Sequence, residues 1–192
     1  MSKLIIVVRH GPYLFNPKDG KSFWQEYGKL DVEKFDVKET IDQIQKLLDQ
    51  NDGYTLKDVC STTILRARQT AIKLANAIEV SGERPSVIFS EKLDPQIDKW
   101  EKLNTIEEYH SIASVKAMYK DGSPSKPLLQ EEGCNLLKNV KDKLKEIKDG
   151  DAIIIVSHSP LIEAFKSALN KDWNKTPETL EKGGVKSFLF AH

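Results

Sequence analysis

Leu4-Ile-Ile-Val-Val8, running straight into Arg9-His10-Gly11-Pro12, decides how the rest of the chain is read. A continuous apolar, largely β-branched run has no polar face, so it suits a central strand buried on both sides of a sheet. Gly11-Pro12 then breaks the run just after a charged pair. The same grammar returns late in the chain, where Ala152-Ile-Ile-Ile-Val156 ends in Ser157-His158-Ser159-Pro160.

Working outward, Leu56 to Cys60, Val87-Ile88-Phe89 and Val185 to Phe190 read as further short strands. Helices are expected from a cap at Asp36 to about Asp49, with Val37, Ile41, Ile44, Leu47 and Leu48 on one face, and from about Ile64 to Glu79. Further helices are expected over Thr105–Tyr119, Gln130–Lys148 and Leu161–Leu169, with turns at Asp52-Gly53 and over Asp121–Pro127. Residues 13 to 30 read as a long irregular segment. Strands alternating with helices imply an α/β fold with one mostly parallel sheet covered on both faces. No linker interrupts the pattern, so residues 1–192 are expected to form a single domain.

Composition narrows the function. The 192 residues are 39% hydrophobic and 30% charged, with a formal net charge of zero, so no global field favours nucleic acid or an acidic membrane. No apolar run approaches the length of a membrane span or a signal-peptide core. The expected location is the cytoplasm. Two cysteines, Cys60 and Cys134, exclude a disulfide framework and a four-thiolate zinc site, and both read as buried thiols. No metal-ligand spacing and no Gly-rich nucleotide loop occurs, so neither metal nor cofactor is expected.

Of the 29 basic residues only four are arginines: Arg9, Arg66, Arg68 and Arg84. A chain that uses Lys for generic surface charge keeps Arg for tasks such as bidentate recognition of phosphate or carboxylate. Histidine is also scarce, at His10, His110, His158 and His192. Ligands of open α/β sheets bind at the carboxyl ends of the strands. Arg9-His10, Ser61 to Arg66 and Ser157-His158 all follow expected strands, so they can share one pocket. Two guanidinium groups can hold phosphoryl oxygens, one neutral imidazole can attack phosphorus, and a second can hydrogen-bond the same group. Gly11 allows close backbone approach, and Ser159-Pro160 suits a helix start whose N–H groups favour an anion near His158. Arg68 is expected to face water or a surface carboxylate. His110 and His192 lack partner clusters. Phe15, Phe23, Trp24 and Tyr27 suit packing on the core, or a lid.

These residues resemble the histidine phosphatase (phosphoglycerate-mutase-like) superfamily. Val7-Val-Arg-His-Gly11 with Asn16 is similar to its opening motif, Ser61-Thr-Thr-Ile-Leu-Arg66-Ala-Arg-Gln-Thr-Ala71 to its second signature, and Val156-Ser-His158 to its late strand-to-histidine motif. The resemblance implies a three-layer α/β/α sandwich and metal-independent hydrolysis of a phosphomonoester or a phosphorylated protein side chain. It implies that His10 becomes a phosphohistidine, and that Arg9, Arg66 and His158 bind the phosphoryl oxygens. Asn16, Gly11 and Ser159 are expected as further substrate contacts. The family's proton donor is a Glu in a Leu-x-Glu context, but here Leu93 is followed by Asp94 and Pro95. Asp94 is the expected donor, with Glu91 and Asp98 as alternatives. A mutase with the same histidine, or a catalytically weak phospho-ligand binding module, are the competing functions.

Overall fold

The computed structural model describes residues 2–14, 29–31, 33–78, 84–96, 98–99, 116–175, 178 and 180–191. Its strands are β1 (Ser2–Arg9), β2 (Tyr13–Leu14), β3 (Lys29–Leu30), β4 (Thr55–Ser61), β5 (Ser86–Phe89), β6 (Asp151–Ser157) and β7 (Val185–Ala191). The helices are α1 (Val37–Gln50), α2 (Leu65–Ala77), α3 (Lys126–Leu144) and α4 (Ser159–Asn170).

The main sheet has the order β5-β4-β6-β1-β7, with β7 antiparallel to β1 and every other pairing parallel. The two strands chosen from their unbroken apolar runs, β1 and β6, lie side by side near its centre, from Leu4 against Ala152 to Arg9 against Ser157. Alternation along β1 divides the core. Leu4, Ile6 and Val8 pack with Ile44 and Leu48 of α1 and with Ala67, Ala71 and Leu74 of α2. Ile5 and Val7 face the other way, onto Leu136, Val140 and Leu144 of α3 and Leu161, Ile162 and Phe165 of α4. Each fully buried aliphatic side chain contributes about 1.5–3 kcal/mol. A three-layer α/β/α sandwich results.

Local chemistry sets the element ends. Asp36 caps α1 as expected, its Oδ1 accepting from Glu39 N at 3.1 Å. The helix expected from Gln130 begins four residues earlier, because Pro127 occupies its first turn, where a missing N–H costs nothing, rather than a preceding loop. Gly133 lets α3 approach α4: a Cβ there would lie 2.3 Å from the Ala164 carbonyl oxygen. Cys60 is buried, as expected, but Cys134 faces solvent from α3. The stretch read as irregular contains a two-stranded ribbon, Tyr13 opposite Leu30 and Leu14 opposite Lys29. Arg68 lies over the Phe89 ring, its Cζ 4.9 Å from the centroid, rather than in open water. Of the expected helix 105–119, residues 116–118 are helical, Tyr119 lies in a turn, and residues 105–115 lie outside the described residues, as do Phe15, Asn16, Phe23, Trp24, Tyr27, His110 and His192. Among the described residues no helix is long and apolar enough to cross a membrane.

Candidate active site

The carboxyl ends of β1, β4 and β6 bring the marked residues together. Beyond the last ladder pair, His10 N donates to Ser157 O at 3.0 Å, which ties the turn after β1 to the end of β6. His158 ends the neighbouring strand and immediately precedes α4. The two imidazoles stand side by side with centroids 4.9 Å apart. Arg66, on the first turn of α2, joins them: Nε lies 3.3 Å from His10 Nε2 and Nη2 lies 3.4 Å from His158 Nδ1. His10, His158 and Arg66 are 2%, 1% and 0% exposed.

Hydrogen bonding fixes the histidine tautomers. His10 Nδ1 lies 2.7 Å from the Gly11 carbonyl oxygen, which can only accept, so Nδ1 carries the proton. The lone pair of the neutral ring is therefore on Nε2, beside Arg66. A guanidinium can only donate, so His158 Nδ1 accepts, and the proton of that neutral ring sits on Nε2, 3.2 Å from Thr62 Oγ1. Burial and the charges of Arg66, Arg9 and Lys182 hold His10 well below the usual imidazole range, against the opposing bond to Gly11. Burial, Arg66, His10 and Arg9 do the same to His158. Burial pulls even Arg66 down to about 10.

Arg9 enters from the β1 side. Its Nη1 donates to Leu180 O at 2.7 Å, while its buried Nε has no partner among the described residues. Ser157 Oγ and Ser159 Oγ, at the end of β6 and the start of α4, are likewise buried without partners among the described residues. Buried polar atoms are normally satisfied, so each of the three is left able to bond a polar ligand. Gly11 is not in a left-handed conformation. Its N–H donates to Thr70 Oγ1 at 3.1 Å, and Thr70 Oγ1 donates to Arg66 O at 2.8 Å, linking the turn after β1 to α2.

Asp94 lies one layer out, beyond a short 3₁₀ turn over Glu91–Leu93. It is half-buried, whereas Glu91 and Asp98 are exposed. One carboxylate oxygen accepts from Thr63 N at 2.6 Å and the other from Thr63 Oγ1, so Asp94 adjoins the histidines through Thr63 and Thr62. Burial pushes its pKa up, with the Thr63 bonds opposing.

Four residues at the site were not singled out from the sequence, although two of them, Thr62 and Thr70, lie within the second signature. Tyr13 meets His10 edge-on at 5.3 Å, with Arg66 Cζ 4.9 Å and Lys182 Nζ 4.7 Å from its ring centroid. Thr62, Thr70 and Lys182 complete the set. Thr70 alone had a usable signal, being one helical turn from Arg66. Among the described residues no group of three or more His, Cys, Asp or Glu side chains could hold a metal.

A family model for the histidine phosphatase superfamily (branch 1) matches residues 5–180. No curated protein matches the chain by sequence. A phosphoserine phosphatase variant from Entamoeba histolytica, solved with phosphoserine, is similar at a TM-score of 0.58 and 19% identity, covering 99% of this chain and 92% of that one. A mycobacterial glucosyl-3-phosphoglycerate phosphatase is similar at 0.61 and 15% identity, covering 97% and 90%.

Proposed function

The chain belongs to the histidine phosphatase superfamily, and on that premise we propose that it is a metal-independent phosphatase acting through a phosphohistidine on His10. The observation that carries the reading is the position of Arg66 between two neutral, buried imidazoles, with the His10 lone pair on Nε2. The substrate class is a phosphomonoester or a phosphorylated protein side chain; fold neighbours that act on phosphoserine and on glucosyl-3-phosphoglycerate support it.

In the first step His10 Nε2 bonds to phosphorus as the ester P–O bond breaks. The leaving oxygen takes a proton from Asp94, whose burial favours the protonated acid. The ring becomes cationic as it is phosphorylated, and the Gly11 carbonyl, accepting from Nδ1–H, stabilises that charge. Arg66 and Arg9 hold the phosphoryl oxygens and His158 donates to them through Nε2–H, the proton that faces Thr62 in the free site, with Ser159 and Asn16 as further contacts; the Gly11 N–H, also expected there, is engaged by Thr70 Oγ1. In the second step water attacks phosphorus and gives a proton to Asp94. The N–P bond breaks, inorganic phosphate leaves and neutral His10 returns. Positive charge comes from side chains throughout.

Hydrolysis of an aryl phosphate in excess EDTA, comparing wild type with His10→Ala, tests the reading. Turnover that survives chelation and vanishes in the variant supports it. Absence of wild-type turnover on a panel of phosphate esters favours a binding module, and activity that persists in His10→Ala refutes the phosphohistidine.

A further inference from the structure

Lys182 is surface-exposed, yet the fold fixes its position. The segment Leu180–Gly184 is bonded to Arg9 at three points: Arg9 Nη1 to Leu180 O at 2.7 Å, Gly183 N to Arg9 O at 3.0 Å, and Arg9 N to Gly184 O at 3.0 Å. Thr40 Oγ1 adds a bond to Gly183 O at 3.1 Å. Gly183 sits at φ +81°, a conformation that favours glycine, and a Cβ there would press on Thr40 Oγ1 at 3.0 Å. The residue before it is thereby aimed at the mouth of the site, where its Nζ sits 4.7 Å from the centre of the Tyr13 ring. Arg66 lies 4.9 Å from the same centre, so the two cations are within about 10 Å of each other, a gap that a few-carbon molecule spans.

The surroundings of Lys182 are predominantly cationic. Arg9, Arg66 and Lys34 act on it, with Glu181 the one acidic group among the described residues that opposes them, and burial and the like charges push its pKa down. One phosphoryl group engages Arg9 and Arg66, and among the described residues only Glu181 offers Lys182 a negative charge. We propose that Lys182 determines specificity by binding a second anionic group of the substrate, a carboxylate or a second phosphate, so that the substrate is a small phosphomonoester carrying another anion a few bonds from phosphorus. This inference rests on the phosphatase reading above.

The test is the ratio of kcat/KM for 3-phosphoglycerate over glycerol 3-phosphate, which differ by a carboxylate in place of a hydroxymethyl group, in wild type and Lys182→Gln. A charge-assisted contact is expected to give wild type about a tenfold preference or more. Lys182→Gln should bring the ratio close to one, mainly through KM, and Lys182→Arg should retain most of it. The pair propane-1,3-diol bisphosphate and 3-hydroxypropyl phosphate distinguishes a phosphate partner from a carboxylate. A preference that survives Lys182→Gln, in a variant with wild-type circular dichroism, overturns the proposal, as does a wild type with no preference in either pair. If neither ester is turned over, the ratios are read as dissociation constants. Collapse on substitution then upholds Lys182, while aryl phosphate hydrolysis and the ester panel decide the phosphatase reading separately, and absence of binding overturns the proposal.

Discussion

Arg66 Nε points at His10 Nε2 across 3.3 Å, so a cation faces the lone pair that attacks in the proposed mechanism. The contact does two jobs. It disfavours the imidazolium, and it sets a planar donor where negative charge collects on the phosphoryl oxygens. A lysine keeps the charge but not the fork that also reaches His158 at 3.4 Å. Arg66→Lys should therefore lower kcat by about 10²–10³. Steady-state kinetics on an aryl phosphate checks this, and a loss below about threefold would refute the double contact.

The two buried histidines also predict how the enzyme responds to acid. Both are held well below the ordinary imidazole range, so kcat/KM should show no histidine inflection near pH 6.5, and the loss caused by histidine protonation should come only at lower pH. Stability follows from the same shift. Below about pH 6.5 the unfolded chain takes up protons that folded His10 and His158 refuse, so each should cost up to about 1.4 kcal/mol per pH unit. Thermal unfolding between pH 8 and 5 should show the loss beginning near pH 6.5 and growing until the folded-state pKa values are reached. A profile flat to pH 5 would contradict it.

Asp94 tests the proton donor through the leaving group. An alkyl oxygen needs a proton as it departs, whereas a nitrophenolate hardly does. Asp94→Asn should reduce turnover of an alkyl phosphate by about 10² or more and that of a nitrophenyl ester by less than about tenfold. Equal losses on both would instead make Asp94 a positioning residue, acting through its bonds to Thr63.

The sequence was most legible where one residue type had no alternative use. The unbroken runs of β1 and β6 could only be central strands, and two scarce arginines and two scarce histidines fell at strand ends. Tyr13 and Thr62 lie beside marked residues but are types with many ordinary uses, and Lys182 is one of 25 lysines; they reach the site through the ribbon, the end of β4 and the tether to Arg9. The misreading of Cys134 has a similar origin. In α3, Leu136 and Val140 face the sheet, and helix rotation turns Cys134 outward, which periodicity alone leaves ambiguous for a weakly amphipathic helix. At Pro127 a residue that breaks helices in their interior begins one instead.

Glu163, on α4 and outside the proposed chemistry, predicts a stability change of opposite sign. Its side chain is 2% exposed, Oε1 has no partner among the described residues, and Lys166 Nζ lies 3.9 Å from Oε2. Burial raises its pKa to about 7, with Glu178 adding repulsion and Lys166 and Lys186 opposing; the negative charge of Glu163 in turn disfavours ionisation of Tyr119, in the segment before α3. A carboxyl whose folded pKa is raised favours folding below its unfolded value near 4.5, and that contribution is lost as pH rises through about 7. Glu163→Gln removes the charge and nearly preserves the shape. It should therefore raise stability by about 2–3 kcal/mol at pH 8 and change it little at pH 4.5. Chemical denaturation of variant and wild type at both pH values reads the difference directly, with the histidine contributions cancelling between the two proteins. A variant less stable than wild type at pH 8 would mean that the ionised carboxylate, paired with Lys166 and attracted by Lys186, holds α4 against β7.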